Sequence, residues 1–235
     1  MLTENKLSKY LLYAIGEICL VAIGILIALQ VSNWNEIDKK NRQRKTYEQS
    51  LISELKADLK TLKTLNTNST RWIKSINNYV LYYNNTNKDI NVLIQKMDSI
   101  KTYKSSYESI AYTIDDIIST GNLSLFSRDK KNAILSLKNI TERNIFYRTK
   151  TNGKLVLKEV EFDSAVDLLF LRNQSTIEHD NVKNWKRNLK SEQYRLFNNK
   201  ISQALMTHEK QIYFNKIIIR ATEKLLNKLT VNENK

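Results

Sequence analysis

The sequence predicts an all-α protein in which one N-terminal transmembrane helix continues into an elongated antiparallel helical bundle. Three observations carry this. Residues Tyr10 to Val31 read YLLYAIGEICLVAIGILIALQV, an almost uninterrupted apolar run of 22 residues, and a helix needs roughly 20 apolar residues to cross the hydrocarbon core of a bilayer. The 235 residues include no proline and four glycines, at positions 16, 24, 121 and 153, so the usual helix breakers are nearly absent. Downstream of the run, apolar residues recur at intervals of three and four, the period of a helix with one buried face. The chain divides into an N-terminal tail (1–9), the transmembrane helix (10–34), a helical bundle domain (35–230) and a C-terminal tail (231–235).

Other readings of the run fit it less well. A secretory signal peptide has an apolar core of about 7 to 15 residues and a small-x-small cleavage site, whereas this run is longer and leads into Gln30, Val31, Ser32, Asn33 and Trp34. A buried helix of a soluble protein shows a polar stripe, but the only polar positions between Leu11 and Leu29 are Tyr13, Glu17 and Cys19. Tyr10 and Tyr13 at one end and Trp34 at the other are the aromatic anchors of an interfacial belt. Ala14, Glu17, Val21, Gly24 and Ala28 share one face, mostly of small residues, and Gly24-x-x-x-Ala28 is the kind of pair that lets two membrane helices approach closely. A carboxylate as deep as Glu17 is protonated, paired across a helix interface or drawn toward the headgroups. The partners expected are membrane lipid and either a second copy of the chain or another membrane protein.

These residues also carry a resemblance. Gly16-Glu17-Ile18, Leu20-Val21, the stretch Ile23-Gly24-Ile25-Leu26-Ile27-Ala28-Leu29-Gln30 and Asn33-Trp34-Asn35-Glu36 closely resemble the signature of an uncharacterised bacterial single-pass membrane family, the DUF6090 family. Ser119-Thr120-Gly121-Asn122-Leu123 resembles a weaker element of it, which extends the likeness over the whole chain. Two departures stand out: Val31-Ser32 replaces a more usual Ile-Asn pair, and the basic segment that often precedes the helix is missing ahead of Leu2-Thr3-Glu4-Asn5-Lys6. The resemblance implies a bacterial cell membrane location. It brings no activity, ligand or catalytic residue.

The elements follow in order. Leu51, Leu55, Leu59, Leu62, Leu65, Trp72, Ile73, Ile76, Val80 and Tyr83 extend the membrane helix outward as one rod to about residue 84. Asn84-Asn85-Thr86-Asn87 stops it, because Asn favours turns. A shorter helix is expected over 89–103, and another from a cap at Ser106 to a left-handed Gly121. A fourth runs from about 128 to 147. Thr149-Lys150-Thr151-Asn152-Gly153-Lys154 reads as a loop, Leu155 to Phe162 as an extended lead or a short strand, and Asp163 to Arg172 as a helix. Val182, Trp185, Leu189, Leu196, Phe197, Ile201, Leu205, Ile212, Ile219, Leu226 and Leu229 describe a second rod over about 180–230, returning toward the membrane.

Chemistry is mostly excluded. The formal charge of +14 comes from 38 basic and 24 acidic residues, but Lys outnumbers Arg 28 to 10 and the bases are scattered along helices, unlike the clustered stripe of a nucleic-acid binder. The one dense cluster, Lys39, Lys40, Arg42, Arg44 and Lys45, follows the span and suits anionic lipid headgroups. No glycine-rich phosphate cradle, zinc ligand set or serine-nucleophile frame is present. His179, between Glu178 and Asp180, reads as an exposed loop residue and His208 as a surface or rim residue; Asp115-Asp116 and the Glu159, Glu161, Asp163 series read as solvated faces and caps. No catalytic, cofactor or metal site is therefore expected.

The leading function is a membrane-anchored helical module, a non-enzymatic sensor or partner-binding scaffold. The alternatives are a lipid- or nucleic-acid-binding anchor using residues 39–45, and an enzyme with an unrecognised site. Charge counting around the span favours a cytoplasmic domain. A long domain crosses a bilayer regardless of charge, and with the family's pattern this leans the reading to an extracytoplasmic one.

Overall fold

The computed structural model describes residues 4–104, 107–173 and 175–231. Helix α1 (Glu4–Tyr83) is a single α-helix of 80 residues, about 120 Å long at 1.5 Å per residue. With no proline, and no glycine between Gly24 and Gly121, nothing interrupts its hydrogen-bond ladder. Its first part, through Ile37, exposes large apolar side chains on every side. It becomes part of the bundle from Tyr47 onward, where Leu51, Leu55 and Leu62 are fully buried. The turn after it is an Asx turn, with the Asn87 amide donating to Asn85 Oδ1 at 2.9 Å.

The Asp89 carboxylate caps α2 (Ile90–Asp98), accepting from the amides of Asn91 and Val92. This helix stops at Asp98 rather than running to 103. Residues 100–104 and 107–111, between it and α3 (Tyr112–Ser119), are non-helical, and the expected cap, Ser106, lies outside the described residues. Two acids one turn apart on α1 hold the approach to α3. Asp58 accepts from Tyr107 Oη (2.9 Å), Ser109 Oγ (2.7 Å) and the Ile110 amide (3.2 Å), while Glu54 accepts from the amide and hydroxyl of Thr113. Gly121 takes the left-handed conformation expected of it, φ 73°.

Helix α4 (Arg128–Asp163) corrects the sequence reading. It continues through Thr149–Lys154 and Leu155–Phe162, which are neither loop nor extended segment. Thr151 is buried and its hydroxyl bonds back to the Tyr147 carbonyl (2.8 Å), Leu155 is fully buried with Ile76 and Ala204, and Gly153 faces open space. Packing against α6 outweighs the roughly 1 kcal/mol that a mid-helix glycine costs.

The helix expected over 163–172 shrinks to α5 (Leu168–Asn173). The last rod also starts later than expected, because residues 180–191 form short 3₁₀ turns with Asn184 left-handed at φ 58°. Helix α6 (Glu192–Thr230) then begins at Ser191, whose hydroxyl caps the Tyr194 amide.

Helix α6 packs against both α1 and α4. It runs antiparallel to them, as Tyr79 meets Tyr194 and Ser69 meets Gln211 on one side, and Phe162 meets Phe197 and Asp129 meets Lys228 on the other. Two apolar cores result. The near core, toward the apolar segment, gathers Leu51, Leu55, Ile117, Ile134, Ile218 and Leu225. The far core is aromatic: Phe197 lies within 6.3 Å, centroid to centroid, of Tyr79, Phe162, Trp185 and Tyr194, and the Lys200 ammonium sits 4.0 Å from the Phe162 ring centroid.

Candidate functional site

Between the two cores the bundle is polar. On α1, α4 and α6 the positions that should carry leucine or isoleucine hold Ser69, Asn144, Arg148, His208, Gln211 and Asn215, all at least nine-tenths buried. A chain of hydrogen bonds crosses the three helices: Arg148 Nη2 donates to Asn215 Oδ1 (2.8 Å), and Asn215 Nδ2 donates to Asn66 Oδ1 (2.8 Å). One turn away, Ser69 Oγ donates to Gln211 Oε1 at 3.0 Å. The Arg148 guanidinium lies 5.0 Å from the Tyr107 ring centroid, and the Tyr107 hydroxyl donates to Asp58. The layer is thereby tied to the strap of chain that precedes α3.

Satisfaction of this layer is incomplete. Arg148 Nε and Nη1, both ring nitrogens of His208, and Gln211 Nε2 are buried without a hydrogen-bond partner. No carboxylate pairs with Arg148 among the described residues. Burial pushes its guanidinium down to about 10, partly offset by Tyr107, so it remains a cation at neutral pH. His208 packs at a tilt of 44° against Trp72, ring centroids 4.8 Å apart, and burial holds its imidazole below the ordinary histidine range, with Gln211 opposing. It is a buried residue and not the surface one the sequence suggested. Each unmade hydrogen bond costs on the order of 1–3 kcal/mol, so the layer costs stability that the cores supply. A cavity of about 10 Å³ beside Arg148, Thr207 and Gln211 has room for roughly one water molecule.

The sequence carried a signal for this layer. Ile134, Leu137, Thr141, Asn144, Arg148, Thr151 and Leu155 keep one unbroken spacing of three and four, as do Ala204, His208, Gln211, Asn215, Ile218, Thr222 and Leu225. The register continues where the hydrophobicity lapses.

The predicted site residues fall elsewhere. Ala14, Glu17 and Val21 share a face and line one open recess with Ile18, Ala22 and Ile25, and Gly24 and Ala28 continue that face by helical spacing. Tyr10, Tyr13 and Trp34 are all exposed. Of the basic cluster, Lys40 pairs with Glu36 (2.6 Å) and Arg42 with Asp38 (2.8 Å); Lys40 holds the Glu36 carboxyl below its usual range. Arg44 is half-buried. Lys39 and Lys45 are exposed. Asp115 and Glu159 bond to Lys138 and Lys104, and Asp163 to Arg172. Among the described residues no three of His, Cys, Asp and Glu come together as a metal site would require.

The geometry defines a class: an all-helical chain whose N-terminal helix is long and apolar enough to cross a membrane and runs unbroken into an antiparallel bundle. The protein belongs to the DUF6090 family, a family of unknown function, whose model matches residues 17–181. The match takes in Glu17, the strap before α3 and all of α4, and it ends before α6, so the likeness is narrower than the whole chain. No match is found among curated proteins or solved structures.

Proposed function

We propose that the protein is a single-span module of the bacterial cell membrane whose bundle serves as a non-enzymatic sensor or partner-binding scaffold. The observation that supports this is the continuity of α1. One helix carries the small-residue face at Ala14, Glu17, Val21, Gly24 and Ala28, and also Asn66, Ser69 and Trp72 in the polar layer. Asn66 lies 35 residues beyond Val31, about 52 Å along a rod with no joint. A change of packing in the layer therefore moves the membrane segment as a rigid body, the small helix displacement by which such modules switch. Tyr10, Tyr13 and Trp34 set the depth of the span, and Lys39 and Lys45, with the ion-paired Lys40 and Arg42 and the half-buried Arg44, all within about 17 Å of Trp34, are attracted to an anionic membrane surface. The bundle is assigned to the extracytoplasmic side.

The experiment is disulfide crosslinking in membranes of single cysteines at Ala14, Val21 and Ala28, in a Cys19→Ala background. Crosslinked dimers or hetero-complexes are expected at these positions and not at Ile23 or Leu26, which lie on the opposite side of the helix. Absence of both kinds of product at all three positions defeats the association half of the proposal. An alkaline phosphatase fusion at Lys235 reports the side, with an active fusion expected.

A further inference from the structure

The strongest unassigned surface is the outer groove between α4 and α6, on the side away from α1. Its floor is apolar and partly small: Ala133 and Ile140 from α4, Ile217 and Ala221 from α6. The recess there is about 570 Å³, and a second one along α4 adds Leu135 and Arg143. Residues 133, 136, 140, 143 and 147 follow one helical face, so the groove runs on to the exposed rings of Tyr147 and Phe146, where Tyr147 stacks on Phe214 at 5.9 Å and 13°. From Ala133 to Tyr147 it is about 21 Å long. Its rim is basic, with Arg143, Arg220, Lys224 and Lys228 along the walls. The only acid lining either recess, Asp129, stands at one end and is bonded to Lys228 at 3.3 Å.

We propose that this groove docks an acidic amphipathic helix of a partner protein. The inference rests on the partner-binding reading above and names the chemistry of the partner. Two helices side by side, with alanines on the floor, present a trough that a third helix fills by laying its apolar stripe inward. Four turns span the available length, and Asp or Glu on both flanks of that helix would meet the two basic walls. A second copy of this chain is a poor occupant, because a two-fold contact sets a surface against itself and would bring Arg220 and Lys224 against their own copies. A lipid headgroup is out of reach. The near end of the groove is level with Lys130, which pairs with Glu48 of α1, 14 residues or about 21 Å beyond Trp34, whereas the headgroup layer is about 5–8 Å thick on each side.

The test uses the full-length protein in nanodiscs and an 18-residue probe peptide, helical, with Leu and Ala on one stripe and Glu on both flanks. Fluorescence anisotropy is expected to show saturable binding of this peptide and none of its Lys-flanked twin or a sequence-scrambled one. The double variant Arg220→Glu/Lys224→Glu alters two exposed side chains without touching either core, and it should weaken binding about tenfold or more; Lys74→Glu, exposed on α1, should leave it unchanged. Ala133→Trp, with its helicity checked by circular dichroism, should abolish binding by filling the floor. Equal binding of the twin or scrambled peptide, or full binding by the double variant, overturns the proposal. So does binding of single-stranded DNA or anionic vesicles that the double variant abolishes while the acidic peptide fails to bind. Peptide binding that persists where the Ala14, Val21 and Ala28 crosslinks are absent supports the groove and counts against the membrane-helix association alone. Crosslinks present without peptide binding count against the groove alone.

Discussion

The far aromatic core and the polar layer next to it both draw on α1, α4 and α6, the core adding Trp185 and the apolar face of α2, yet they use opposite chemistry. Around Phe197 four aromatic rings interlock, Tyr79, Phe162 and Tyr194 edge to face and Trp185 tilted, an arrangement whose contacts favour one packing. About two and three turns along α6 from Ala204, the equivalent positions hold Gln211 and Asn215, and the facing cation, Arg148, has a single direct hydrogen bond from its guanidinium. Such a layer supplies little cohesion, and a shift that gives its unpaired groups new partners meets little resistance. The ends of the bundle hold the helices together, and the middle is where their relative positions can change.

The largest effect expected is in the aromatic core. Phe197→Ala should lower stability by about 3–5 kcal/mol, read by urea unfolding with tryptophan fluorescence. Next comes the clasp: Asp58→Ala strands the Tyr107 hydroxyl, the Ser109 hydroxyl and the Ile110 amide, and should cost about 2–3 kcal/mol, with faster amide exchange over residues 107–113. Arg148→Met should behave unlike either, raising stability by about 1 kcal/mol as an uncompensated buried cation gives way to an apolar chain of similar length. A loss as large as that of Phe197→Ala would erase the distinction between the regions.

The layer also predicts a pH dependence. Unfolded, His208 titrates near 6.5; folded, burial holds it lower, so below about pH 6.5 the unfolded chain binds more protons and stability falls with falling pH. The contribution is complete above that value, and His208→Phe should remove this part of the slope in melts at pH 5 to 7. The smallest effect is outside both regions. Gly153→Ala should raise stability by roughly 0.5–1 kcal/mol, because the site is mid-helix with nothing within 4 Å of an added Cβ; no gain would favour the loop reading of residues 149–154.

The course of α1, its end at the Asn cluster and the left-handed Gly121 were legible in the sequence, because each depends on local properties: an apolar run, a turn-forming cluster, a residue without a Cβ. What escaped is long-range. Thr149 to Lys154 reads as a loop by composition, and only the α6 surface that covers Thr151 and Leu155 makes it helical. His208 reads as exposed because histidine beside Glu209 and Lys210 usually is; its burial follows from Trp72 and Gln211, which are close in space through the antiparallel pairing of α1 and α6. The apolar N-terminal segment was readable as a pattern, whereas the polar layer needed the spacing to be trusted over the hydrophobicity.

The unbroken ladder of α1 has one more consequence, which concerns angle rather than distance. Because no turn or glycine lies between Gly24 and the bundle, the direction in which Glu17 points relative to Asn66 is set by residue count alone. One residue inserted at Gln43 would turn the whole apolar segment by about 100° about its axis and direct the Ala14–Ala28 face elsewhere, whereas seven inserted residues would return it to within about 20° of its native bearing. The azimuth of the apolar segment is thus written in the length of the helix between residues 34 and 47.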